Sequence, residues 1–186
     1  MSARDELLAL LRRDAYREGR FRLASGKESD FFIDCKRVML TAEGHRLAGE
    51  ALCEEVSTLS PAPVAVAGVA LGGCPLASAV SLTSALRHAG PDGRGWNALY
   101  VRKEAKDHGT ARRIEGVAPA GAEVVLLEDV LTTGGSSLTA IGALRAEGFT
   151  VRRVIALVDR AEGAVAALAD AGVTASGLFH RGDFVR

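Results

Sequence analysis

Cysteine is scarce in this sequence. Cys35, Cys53 and Cys74 are the three copies among 186 residues, widely spaced and without a C-x-x-C pair. An odd number so placed argues against a disulfide framework, and a structural zinc site would need paired ligands. The pattern predicts reduced thiols in a cytosolic protein. Net charge is absent too, since 23 Lys+Arg balance 23 Asp+Glu. A protein built to coat nucleic acid or an anionic membrane would need a net basic field, so neither partner is expected. The charged start, Met1 to Glu6, is followed by no uninterrupted apolar core, which predicts no secretory signal. Long apolar runs are also missing. Val56 to Leu86 carries no charge, but Pro61, Pro63, Gly68, Gly72, Gly73 and Pro75 interrupt it. A spanning helix needs about 20 consecutive apolar residues, so this stretch reads as buried strand, glycine turn and helix.

Hydrophobic residues make up 48% and charged residues 25%, a balance that suits a folded chain rather than a disordered one. No internal repeat, low-complexity tract or linker appears, so residues 1–186 read as one domain. Ser2 to Arg13 has leucines on one side and charges on the other, with Ser2 and Asp5 as an N-terminal cap signal. Phe21 to Asp34 reads as strand, turn, strand, and Thr41 to Val56 as a helix. From there strands and helices alternate. Strands are expected at 64–69, 97–101, 123–128, 151–158 and 173–179, and helices at 75–88, 136–147 and 161–171. Apolar strands alternating with helices imply an α/β fold, an open, mostly parallel sheet with helices on both faces. Such sheets bind ligands at the carboxyl ends of their strands.

The most informative segment is EVVLLEDVLTTGGSS, residues 123–137. An apolar strand runs to two acids, Glu128 and Asp129. Val130 and Leu131 follow, then Thr132, Thr133, Gly134, Gly135, Ser136 and Ser137, and then a helix. Small residues let successive N–H groups converge, and a helix N-terminus completes an anion pocket. No lysine follows the glycines, which excludes the loop of nucleoside triphosphatases. Two acids beside a phosphate cradle repel phosphate. They are explained if the ligand also offers hydroxyls or a Mg²⁺ ion, and a ribose 5-phosphate group offers hydroxyls beside its phosphate. Without a ligand, two carboxylates at the end of an apolar strand are costly.

This segment resembles the phosphoribosyl-pyrophosphate motif of type I phosphoribosyltransferases. The resemblance implies that Glu128 and Asp129 contact the ribose hydroxyls and that the loop through Ser137 binds the 5-phosphate. A second string, RKEAKDHG at 102–109, is rich in donors, and Gly109 and Gly116 give the 102–116 segment room to move. A basic loop beside a phosphate site can neutralise an anionic leaving group and exclude water on closing. The string resembles the catalytic loop of the orotate phosphoribosyltransferase family. That likeness implies that Arg102, Lys103, Lys106 and His108 contact pyrophosphate, with residues 102–116 shared across the subunits of a homodimer.

FRLASGKESDFFID, residues 21–34, is similar to the start of the same family, where it forms a hood over the base. Residues 1–40 are accordingly expected to form that hood. Lys27, Phe31 and Phe32 are candidate orotate contacts. Neighbours on a strand face opposite sides, so at least one of the two phenylalanines is expected in the core. Asp159-Arg160 ends a strand. Arg160 offers a planar fork suited to the orotate carboxylate, and Thr132 is placed with the base as well as the phosphate. The resemblance runs from about Phe21 to Phe184. It departs at Gly72 and Ala24, where some members carry lysines, and at Glu128, where aspartate is commoner. It implies transfer of the phosphoribosyl group to orotate with Mg²⁺, metal ligands in the chain being unassigned. A transferase for another base would keep the phosphate motif but lose RKEAKDHG. An RNA-binding regulator on the same fold would want a basic face.

Overall fold

The computed structural model describes residues 1–22, 28–104 and 113–185. Its centre is a six-stranded sheet in the order β5-β4-β3-β6-β7-β8. The strands are β3 (Ala65–Val69), β4 (Asn97–Val101), β5 (Ile114–Glu115), β6 (Glu123–Leu131), β7 (Thr150–Asp159) and β8 (Thr174–His180). All pairings are parallel except β4 with the short β5. The antiparallel β5 follows the basic segment and carried too few residues to show a period in the sequence.

The strands alternate their side chains between two cores, as a pleated chain must. On one face Val66, Val125, Leu127, Ile155 and Leu157 pack under α1 (Ala3–Leu10), α3 (Ala42–Ser57) and α4 (Gly73–Leu86). On the other, Ala67, Leu99, Leu126, Val154 and Ala156 pack under α5 (Gly135–Ala146) and α6 (Ala164–Asp170). Helices therefore cover both faces, as the continuous apolar strands predict. Handedness explains the division. From β3 the chain crosses to β4 in one direction, whereas from β6 it steps to β7 and β8 in the other. Right-handed crossovers in opposite directions put their helices on opposite faces.

The amino-terminal part differs in detail from its sequence reading. Ser2 caps α1, accepting from the Asp5 N–H at 3.2 Å while Asp5 accepts in return from the Ser2 N–H. The chain then makes a π-helical turn at Leu11–Ala15 and enters β1 (Tyr16–Arg22), five residues before the expected strand. Its partner β2 (Glu28–Ile33) runs antiparallel, with Tyr16 opposite Ile33. Charged residues mask the alternation of YREGRFR, and the strand is set by this pairing and by Tyr16 packing on Phe31 and Phe184. A short helix, α2 (Lys36–Met39), joins β2 to α3. All three cysteines are free and buried, and burial pushes their thiols up.

Candidate active site

The strand order reverses between β3 and β6, and the crevice at such a switch point is where an open sheet takes its ligand. The carboxyl end of β6 supplies the acids. Here the strand does not stop at Glu128. It continues to Leu131, held by pairing of Val130 with Val158 and Leu131 with Asp159 on β7. Val130 and Leu131 are thus strand rather than loop. The Leu131 side chain is buried in one core and Val130 packs partly buried against the other. What Leu131 offers the crevice is its carbonyl, which accepts from the Arg160 N–H at 3.0 Å.

Glu128 is 4% exposed. Its Oε1 accepts from the hydroxyls of Ser136 at 2.9 Å and Ser137 at 2.8 Å. Burial pushes its carboxyl up to about 7, although the two hydroxyls oppose the shift. Ser137 is fully buried, and its hydroxyl donates to Glu128. Glu128 in turn ties the first turn of α5 to the sheet. Asp129 sits differently. Its Oδ2 is 3.7 Å from Lys36 Nζ, and its carbonyl receives the Cys35 thiol at 3.7 Å. On another side it abuts Gly72, where an added β-carbon would land on the carboxylate. Any side chain at position 72 would displace the Asp129 carboxylate from this orientation.

Within the segment expected to hold a phosphate, Gly134 takes a left-handed φ of 84° and leads into α5 with no side-chain cap. The first N–H groups of the helix therefore lack side-chain acceptors from the chain, the arrangement that binds anions. Thr133, Gly135 and Ser136 are exposed around it and Thr132 is half-buried. Beside them a cavity of about 230 Å³ is lined by Lys103, Arg113 and Ser136 among others. Arg102 Nε pairs with Glu115 at 3.1 Å, and the Arg113 guanidinium donates to the Lys103 carbonyl at 2.7 Å. Lys103 is exposed and lies close enough to Glu128 to favour its charged form. Lys27, Lys106 and His108 lie outside the described residues.

At the end of β7, Arg160 is 7% exposed, not a surface ion pair. Its Nη2 donates to the Phe31 carbonyl at 3.2 Å and meets Glu162 at 2.7 Å. The Phe31 ring is 1% exposed, packed against Tyr16 and Phe184 with the guanidinium groups of Arg160 and Arg181 at 5.5 and 5.6 Å from its centre. The ring has no open face for a flat base, and the Phe31 carbonyl accepts from Arg160. Phe32 points the other way, 37% exposed and beside Phe21 at 5.2 Å. One phenylalanine in the core and one out is what strand alternation demands. Lys36 escaped the sequence reading. The signal available was the acid–base pattern Asp34-Cys35-Lys36 directly after β2.

A doubly wound sheet with acids and an uncapped, glycine-led helix at its switch point defines a site for a phosphorylated ligand, the general class to which type I phosphoribosyltransferases belong. No family model matches the chain. It is 54% identical over 187 residues to the orotate phosphoribosyltransferase of Sorangium cellulosum, an alignment covering 99% of this chain and 94% of the relative. Among solved structures it is similar to Mycobacterium tuberculosis H37Rv orotate phosphoribosyltransferase in complex with Fe(III) dicitrate, with TM-score 0.81, 35% identity and 99% of each chain covered. The same enzyme in complex with 5-phospho-alpha-D-ribosyl 1-diphosphate gives TM-score 0.77, 32% identity and 98% coverage of each chain. The chain belongs to the orotate phosphoribosyltransferase family and is by that membership a pentosyltransferase.

Proposed function

We propose that the chain transfers the 5-phosphoribosyl group from phosphoribosyl pyrophosphate to orotate, giving orotidine 5-phosphate and pyrophosphate in pyrimidine biosynthesis. The observation that carries this reading is that Asp129, at the carboxyl end of β6, and the uncapped start of α5 that follows it both lie at the switch point. A carboxylate accepts from ribose hydroxyls, and converging N–H groups take the 5-phosphate. As pyrophosphate leaves, the sugar carbon gains oxocarbenium character. Such a reaction is accelerated by positioning and charge stabilisation, and it needs no covalent nucleophile.

The roles divide accordingly. Asp129 orients the ribose, and Glu128 acts through Ser136 and Ser137 to fix the loop that holds the phosphate. Thr132, Thr133, Gly134 and Gly135 line that loop. Arg102, Lys103, Lys106 and His108 meet the departing pyrophosphate. Arg160 takes the orotate carboxylate, with Thr132, Phe32 and Lys27 around the base under a hood formed by residues 1–40. Among the described residues no group of three His, Cys, Asp or Glu could hold a metal. Glu128 and Asp129 at the crevice are too few for a dedicated cage, which suits Mg²⁺, an ion often held by one or two carboxylates together with substrate phosphates. When bound it supplies charge neutralisation for the leaving group.

The working form is a homodimer in which the 102–116 loop of one subunit serves its partner's site, in the cytoplasm. Among the described residues no helix is long and apolar enough to cross a membrane. The test is loss of orotate absorbance with phosphoribosyl pyrophosphate and Mg²⁺, with uracil, hypoxanthine and adenine in parallel. Turnover of orotate alone supports the assignment. Silence with orotate and turnover of another base overturns it.

A further inference from the structure

Asp129 is approached from two sides. Gly72 closes one, so that side holds only backbone. On the other stands Lys36, the first residue of α2. Its Nζ is 2.7 Å from Asp34 Oδ1 and 3.7 Å from Asp129 Oδ2. Asp34 Oδ1 also accepts from the Lys36 N–H at 3.3 Å, which fixes the residue at its backbone as well as its tip. Next to it, the Cys35 thiol reaches the Asp129 carbonyl at 3.7 Å and holds the start of α2 against β6. Among the described residues Lys36 is the one cation within ion-pair distance of Asp129.

We propose that Lys36 is a positioning residue of the phosphoribosyl-pyrophosphate site, its ammonium anchored by Asp34 and holding the Asp129 carboxylate in the orientation that accepts from the ribose hydroxyls. The inference deepens the function proposed above and rests on it. Two carboxylates share this one ammonium. Removing the cation leaves Asp34 and Asp129 as neighbouring like charges, and the more mobile of the two turns away. The Asp34 hydrogen bond raises the Lys36 pKa; burial works against this and the charge on Asp129 adds to it, so the ammonium persists across the neutral range. The placement also joins two parts of the site. Asp34, Cys35 and Lys36 follow directly on β2, whose Phe31 carbonyl holds Arg160. The strand over the base and the acid under the ribose thus share one short connection.

The experiment compares wild type with Lys36→Met, Lys36→Arg and Asp34→Asn. Each is titrated calorimetrically with phosphoribosyl pyrophosphate, ribose 5-phosphate and pyrophosphate, all with Mg²⁺. Lys36→Met is expected to weaken the two ribose-bearing ligands about three- to fivefold, the upper end for loss of a partly exposed charge pair. Pyrophosphate affinity stays within about twofold of wild type. Lys36→Arg restores the ribose ligands, and Asp34→Asn weakens them in the same selective way. A general packing defect would not distinguish ribose ligands from pyrophosphate. Equal loss of pyrophosphate binding would place Lys36 on the leaving group and overturn the proposal. Unchanged affinity for all three ligands would overturn it as well. If wild type itself binds no phosphoribosyl pyrophosphate, the failure belongs to the proposed function instead.

Discussion

Replacing Glu128 with glutamine should stabilise the fold at alkaline pH and leave it nearly unchanged in acid. Glutamine keeps the shape of the side chain and an oxygen that accepts from Ser136 and Ser137. It lacks the charge, and charge is what this site resists. Burial raises the Glu128 carboxyl from an ordinary 4.5 to about 7. A raised folded pKa means that the native state binds the proton more tightly than the unfolded chain. The resulting stability is fully present below pH 4.5 and is lost as pH rises through about 7. At about 1.4 kcal/mol per pKa unit, the loss above that pH amounts to about 3 kcal/mol. Urea unfolding reads it directly through Trp96, the single tryptophan and a buried one. With an m-value of about 2–3 kcal/mol per M, the variant's midpoint should lie about 1 M above wild type at pH 8.5 and coincide with it near pH 4.5. Protein concentration is held fixed and phosphoribosyl pyrophosphate omitted, because ligand and subunit binding also shift midpoints. A gap between the two proteins that does not change with pH would refute the reasoning. So would a glutamine variant that is the less stable one at pH 8.5.

Other substitutions test the remaining parts of the site. Lys106→Ala should lower turnover by about two orders of magnitude or more, the scale of losing a charge aimed at a transition state, with an unchanged unfolding midpoint. Mixed with Arg160→Ala under subunit exchange it should regain activity, and no recovery would count against a shared site. Asp129→Asn should weaken phosphoribosyl-pyrophosphate binding by about tenfold, the value of one charge-assisted hydrogen bond; equal affinity by titration would remove Asp129 from the ribose. Gly72→Ala should cost about 1–3 kcal/mol, as overpacking does, and should weaken the same ligand because the new methyl displaces the Asp129 carboxylate. Normal binding and normal stability together would show that the 70–73 turn yields without cost.

Sequence alone determined the main strands and helices, though not α2 or β5, and with them the sheet type, and it marked a candidate phosphate loop. These are local properties: apolar runs, small residues that permit a tight turn, and a helix start. The strings EVVLLEDVLTTGGSS and RKEAKDHG carried the family, because charged and glycine-rich patterns of that length seldom arise for packing reasons. What each side chain faces is not local. Glu128 was legible as an acid at a strand end, but its bonds to Ser136 and Ser137 depend on how α5 docks on β6. Extension of β6 through Leu131 depends on β7 lying alongside. The choice of Phe31 for the core and Phe32 for the open side follows from the register of β1 with β2. The meeting of Lys36 with Asp129, 93 positions later in the chain, appears in no window of sequence. Propensity and pattern act over a few residues, whereas register and packing join residues that the chain keeps far apart, and the geometry of the site was decided there.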